Sequence, residues 1–355
     1  MRKAKTVGIA QTAAAYIPEA ADFQLKNNAG QIAIDENFAA QSFWKDVFIR
    51  YFRKTSAVIG LILIAVISFM AIVGPDMNEY TYSGQELSQK NLAPRIKGLE
   101  KFGIFDGSET MSTTTGSKTV NYYVEKGFDD VEYWFGSDNF GRDIWTRTWS
   151  GARVSLIIAV AAAIIDMVIG MSYGLISGYF GGKVDMVMQR FLEIANGIPR
   201  LVIVTLLLLV LQPGMLTIIF ALMLTEWVGM SRIARAEMLK LKEQEFVLAS
   251  RTLGAGSFFI IFKEVLPNII GPIITQVMFS IPTAIFTEAF LSFVGLGIPV
   301  PQCSLGSLIS EGFNSFTTHP YQIVPPILVM ALLMLSFNLV ADGLREALDP
   351  KLKEM

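Results

Sequence analysis

Eighteen consecutive residues, Ala57 to Gly74 (AVIGLILIAVISFMAIVG), carry no charged side chain. A helix crosses the hydrocarbon core of a bilayer with about 20 apolar residues, each rising about 1.5 Å. This run is therefore read as a membrane span. Five more stretches qualify, at roughly 153–176, 198–211, 214–230, 269–294 and 321–342. The third is short, and Gln212-Pro213-Gly214 parts it from the fourth because proline then glycine breaks a helix. Composition agrees: 52% of the 355 residues are hydrophobic and 17% charged, against about 25% charged in ordinary soluble chains. The fold class expected is an all-α polytopic membrane protein with six transmembrane helices.

The net charge of −2 speaks against a nucleic-acid partner. One cysteine, Cys303, excludes an internal disulfide, and one histidine, His319, excludes a histidine-rich metal site. Asp22, Asp35 and Glu36 interrupt the weakly apolar N-terminal stretch, so it does not read as a secretory signal, and the first span reads as an uncleaved anchor.

Lysine and arginine placement sets the expected orientation. Lys45, Arg50, Arg53 and Lys54 precede the first span, and Lys183, Arg190 and Arg200 lie between the second and third. Arg232, Arg235, Lys240, Lys242, Arg251 and Lys263 lie between the fourth and fifth, and Arg345, Lys351 and Lys353 follow the sixth. The 295–320 loop has no Lys or Arg. Both termini are thus expected in the cytoplasm, with the 75–152 loop outside.

The expected organisation has a cytoplasmic segment 1–56, weakly structured over 1–37 and an amphipathic surface helix over 38–54. A first transmembrane helix 57–74, an external loop 75–152, a transmembrane core 153–342 and a cytoplasmic tail 343–355 follow. Within 99–135 a Ser/Thr/Gly cluster parts two segments rich in aromatic and β-branched residues, a hairpin signal.

The inner connection 231–268 draws the most attention. Residues 232–251 lack Gly and Pro and can run as one helix. Ala249, Ser250 and Gly254 are small, so a partner can approach the backbone closely, and Gly254 and Gly256 permit a sharp turn. Phe258–Phe262 would start a second short helix, stopped by Pro267. Such a corner suits docking into a groove and passing on rigid-body motion; a plain surface connector would have the same composition.

Three acidic residues fall in or near spans: Asp166, Glu226 and Glu288. Buried membrane charges usually face protein or water. Asp166 and Glu288 are candidates for the solute path, a helix-packing role being the competing reading for Asp166, and Glu226 is placed to pair with Arg232 or Arg235. Arg142 and Asp143 are expected to form a local pair outside the second span.

Several segments together resemble a known family. EFVLASRTLGA (245–255) resembles the Glu-Ala-Ala motif of permeases in ATP-binding cassette importers. Leu248, Ala249 and Ser250 take the Glu-Ala-Ala positions, Gly254 the glycine, and Leu266 and Pro267 the ending. FGSDNFGRDIWTRTWSGARVSL (135–156), YFGGKVDMVMQRFLEIANGIPRL (179–201), TEAFLSFVGLGIPVP (287–301) and FNLVADGLREALDPKL (337–352) resemble, in order, segments of the second permease of dipeptide and oligopeptide importers. The resemblance implies the type I importer permease fold and no catalysis by this chain. Its implied partners are a second permease, two cytoplasmic ATPases that bind ATP and magnesium, and an extracytoplasmic peptide-binding protein. Glu245, Leu248, Ala249, Ser250, Leu253, Gly254, Ala255, Leu266 and Pro267 become the ATPase-coupling candidates. No GxxxxGK[ST] phosphate loop is present. The alternatives are a permease for nickel or another solute, a proton-coupled secondary transporter using Asp166 or Glu288, and a membrane-embedded enzyme, for which His319 alone offers little.

Overall fold

The computed structural model describes residues 43–113, 116–128 and 130–348. The expectations for residues 1–42, including the start of the amphipathic helix, and for the tail beyond 348 lie outside these. The chain divides after Asp46, so only the first turn of helix α1 (Phe43–Arg53) belongs with the N-terminal unit. From Val47 onward the described residues form one unit.

α2 (Thr55–Val73) carries the uncharged run and ends in a 3-10 turn, Gly74–Asp76. A hairpin segment follows, with strands β1 (Ser108–Thr113) and β2 (Gly116–Asn121) and a short helix α3 (Tyr122–Lys126). α4 (Ile144–Ile165), a π-helical stretch (Asp166–Gly170) and α5 (Met171–Phe180) make one 37-residue apolar helix. α6 (Gly182–Gly197) and α7 (Arg200–Val210) meet at a 78° bend. α8 (Met215–Thr225) runs into α9 (Trp227–Leu241), followed by α10 (Glu245–Thr252) and α11 (Ser257–Phe259). α12 (Leu266–Phe293), α13 (Leu305–Asn314) and α14 (Val324–Leu348) complete the chain. Among the described residues five helices are long and apolar enough to cross a membrane, and the bent α6–α7 pair makes a sixth if taken as one broken span.

The large core cluster draws residues from α2, α4, α5, α9, α12 and α14. Small residues make this packing close, as membrane helices require where lipid supplies no hydrophobic drive between them. Gly170, Gly174 and Gly178 form a stripe at four-residue spacing along the C-terminal half of the long helix. A Cβ on Gly174 would lie 2.2 Å from Ser231 O and one on Gly178 2.8 Å from Met238 Cβ, so α5 and α9 touch along their backbones. Gly60 meets Ser336 and Leu339 in the same way where α2 packs on α14.

Several expectations change. The 231–268 connection is not one helix followed by a stopped second one. α9 ends at Leu241, Gln244 is extended (φ −73°, ψ 150°), and α10 starts anew. No breaker residue is needed: the turn lets Val247 bury fully, and α10 packs on the π-helical turn Ile260–Val265. Nor does Pro267 stop a helix, since it sits in the first turn of α12, where a missing N–H is tolerated. The π turn prepares that place, because Leu266 N–H donates to Ile261 O, five residues back, and Asn268 Nδ2 donates to Glu264 O.

The second span starts at Ile144, and the connection after it is the helix α6. The hairpin is present, but its strands lie within the Ser/Thr cluster and its aromatic flanks are not strands. β1 pairs antiparallel with β2, Ser108 opposite Asn121, and the Thr110 and Thr119 hydroxyls meet at 3.2 Å. The aromatic Tyr123 and Tyr133 instead bury with Leu92 as a small core beneath it.

Candidate functional site

The connection between α9 and α12 is a rigid corner with an apolar outer surface. Val247 fastens it inward, into the cluster holding Ile260, Ile261 and Val265. The Arg251 guanidinium lies 4.9 Å from the Tyr179 ring centroid, and Lys242 Nζ donates to Gly178 O, so the corner is tied to the end of α5. Gly254 has φ +83°, in the left-handed region where glycine is favoured. Leu253 N–H donates to Ala249 O and Ala255 N–H to Ser250 O, closing α10 with satisfied carbonyls. The other candidates line the outside: Glu245, Leu248, Ala249 and Gly254 are exposed, while Ser250 and Ala255 are half-buried. Leu253 is 87% exposed and Phe258 75%. Leu266 and Pro267 lie further along, at the start of α12.

The intramembrane polar groups are separate from this corner. Asp166 is buried, and its Oδ1 has no hydrogen-bond partner among the described residues. Glu288 is fully buried and accepts hydrogen bonds from Ser155 (3.0 Å) and Ser292 (2.7 Å). Ser155 also accepts from Leu305 N–H, so this carboxylate joins α4, α12 and the start of α13. Glu226 does not pair with Arg232 or Arg235. Arg200, at the start of α7, donates to it at 2.6 Å and to Thr287 at 3.2 Å, while Arg235 forks onto both oxygens of Asp185, at 2.6 Å each. The bend at Ile198-Pro199 brings Arg200 to Glu226, which chain proximity alone did not suggest.

At the opposite end, Arg142 and Asp143 do not pair with each other either. Asp143 is the N-cap of α4, accepting from Thr146 N–H and from Asn78 Nδ2, and burial pushes its carboxyl upward. Arg142 donates to Asp138 and Glu311, at 2.6 Å each. Arg147, with no exposed surface, donates to both oxygens of Glu311 at 3.0 Å. Two almost fully buried guanidiniums thus clamp α13 onto the start of α4. Helix α13 was not foreseen, although Ser304 and Ser307 form a reciprocal capping box that marks its beginning. Among the described residues no three His, Cys, Asp or Glu side chains gather as a metal ion would require.

Residues 170–354 match the family described as binding-protein-dependent transport system inner membrane component. Residues 42–94 match the N-terminal TM domain of oligopeptide transport permease C. The oligopeptide transport system permease protein OppC of Bacillus subtilis is 41% identical over 88% of this chain and 91% of its own length. The dipeptide transport system permease protein DppC of Lactococcus lactis is 40% identical over 94% and 98%. A solved inward-facing MetNI methionine ABC transporter structure has a TM-score of 0.49 and 17% identity, covering 57% of this chain and 96% of that one. The chain belongs to the binding-protein-dependent transport permeases, in their oligopeptide and dipeptide branch. It is an integral membrane protein, a non-catalytic subunit of an ABC transport system.

Proposed function

We propose that the chain forms half of the transmembrane path of a peptide importer, with α10 as the point where a cytoplasmic ATPase pushes. The observation carrying this is the α10 corner: anchored inward by Val247 and by Arg251 on Tyr179, yet presenting Leu248 and Leu253 to solvent. An exposed apolar knob on a braced corner transmits force, because the backbone contact of α5 with α9 moves the corner and the bundle together. Glu245, Ala249, Ser250, Gly254 and Ala255 shape that contact, and Leu266 and Pro267 carry the motion into α12.

In this reading both termini and α10 are cytoplasmic, the membrane is the bacterial cell membrane, and the hairpin segment is extracytoplasmic. The boundaries 1–56, 57–74, 75–152, 153–342 and 343–355 describe that organisation. The partners are a second permease, two ATPases holding ATP and magnesium, and a peptide-binding protein outside. Asp166, with its unpartnered oxygen, and Glu288, holding α4, α12 and α13 together, are the polar points assigned to the path.

The test is reconstitution of the whole complex in proteoliposomes with ATP supplied on the α10 side. ATP-dependent uptake of a labelled peptide is expected. Uptake by this chain without ATPase subunits would overturn the reading. The buried Asp166 also motivates a proton-coupled transporter, which predicts that a protonophore stops uptake while ATP is maintained.

A further inference from the structure

A cavity of about 180 Å³ lies at the seam between the outer segment and the end of α14, lined by Lys90, Asn91, Tyr122, Lys126 and His319. Four of these come from the outer segment, and His319 directly precedes the turn into α14. The polar groups behind the wall are held in place. His319 Nδ1 meets Glu109 Oε2 at 2.8 Å, both side chains being nearly buried, and this contact fastens the hairpin to the last membrane helix. Asn91 Oδ1 accepts from Gln322 Nε2 at 2.9 Å, which leaves its amide nitrogen as a donor.

The charge in front of the wall is unbalanced. One oxygen of Glu109, Oε2, meets His319. Among the described residues Lys126 Nζ donates only a long 3.4 Å bond to Ser88 O, and its ammonium lies 5.5 Å from the Tyr122 ring centroid. Lys90 is exposed and forms no ion pair among the described residues. Two ammonium groups therefore border one small cavity whose described lining residues include no carboxylate, Glu109 lying behind His319. Its volume is below the roughly 300–1,000 Å³ of pockets that enclose a whole small ligand, so it admits the end of a side chain or of a peptide, not a complete peptide.

We infer that this cavity binds a single carboxylate presented from outside. The inference rests on the permease reading, in which solute arrives on this face. The carboxylate is supplied either by an acidic side chain of the binding protein or by the C-terminus of the transported peptide.

The test uses the full transporter in nanodiscs and proteoliposomes, with the purified binding protein and two labelled peptides, one ending in a free carboxylate and one in an amide. Replacing both lysines (K90Q/K126Q) is expected to weaken binding-protein affinity about five- to tenfold at low salt and to flatten its salt dependence, because exposed ion pairs are modest in strength and screened by salt. The K90R/K126R variant, which keeps the charge, should stay within about twofold of wild type. If binding is unchanged but uptake falls only for the free-carboxylate peptide, the peptide is the source. Wild-type behaviour of K90Q/K126Q in binding and in uptake of both peptides would overturn the inference. The ATP requirement of the wild type, measured in the same vesicles, separates the two claims: its absence sinks the permease reading, whereas ATP-driven uptake indifferent to the lysines sinks only the pocket.

Discussion

The position a Cβ would occupy on Gly174 lies 2.2 Å from the carbonyl oxygen of Ser231. The obstructing atom is backbone, so no rotamer change makes room. Gly174→Val should cost at least the roughly 1–3 kcal/mol of an overpacked core. Thermal unfolding of the purified complex in detergent should show a lower midpoint and a reduced yield. Gly229→Ala, where the backbone is helical and nothing lies within 4 Å of the added atom, should have a far smaller effect and serves as the control.

Gly254 presents a different case, because open space surrounds it. Its requirement is conformational, φ +83°, and another residue there costs about 1–2 kcal/mol locally. Gly254→Trp and Leu253→Asp should leave the bundle folded and the ATPase active while uptake falls at least about tenfold. Normal peptide uptake by Gly254→Trp would count against docking at α10.

Glu288 is surrounded by serine hydroxyls, so its removal and its neutralisation should differ. Glu288→Ala strands the donors of Ser155 and Ser292, at roughly 1–3 kcal/mol for buried groups left unsatisfied. Glu288→Gln keeps an acceptor in place and should unfold close to wild type. Equal destabilisation by the two variants would show that the charge itself, not the hydrogen bonding, holds the site.

Cys303 is buried beside Arg147 O, and burial pushes its thiol up to about 11. At pH 8 only about one thiol in a thousand is then ionised, and the thiolate is the reactive form. A maleimide should leave the folded chain unlabelled at pH 8 and label it fully after denaturation. Rapid labelling without denaturant would mean that the Arg142–Glu311–Arg147 clamp opens in solution.

The apolar runs are legible in the sequence because hydrocarbon imposes a length and excludes charge, and both constraints are local. The Gly254 corner is legible for a similar reason: small residues beside a helix end have a local signature. What escapes depends on distant partners. Nothing near Arg142 names Glu311, 169 residues away, and nothing near Glu226 names Arg200. Val247 looks like any apolar residue of a helix until the π turn it packs on is in view. Pro267 misleads because a proline reads as a stop unless the backbone before it has already shifted its hydrogen bonds. The stripe Gly170, Gly174 and Gly178 is visible at four-residue spacing, but in an apolar chain with 29 glycines nothing local marks it as a contact.

The helix from Ile144 to Phe180 has 37 residues, a contour of about 55 Å. The hydrocarbon core it crosses is about 30 Å thick. The surplus projects beyond the lipid, and α10 is braced against its end through Tyr179. A torque applied there acts on a protruding handle, so the bundle can tilt as a lever without any lipid being displaced at the point of grip.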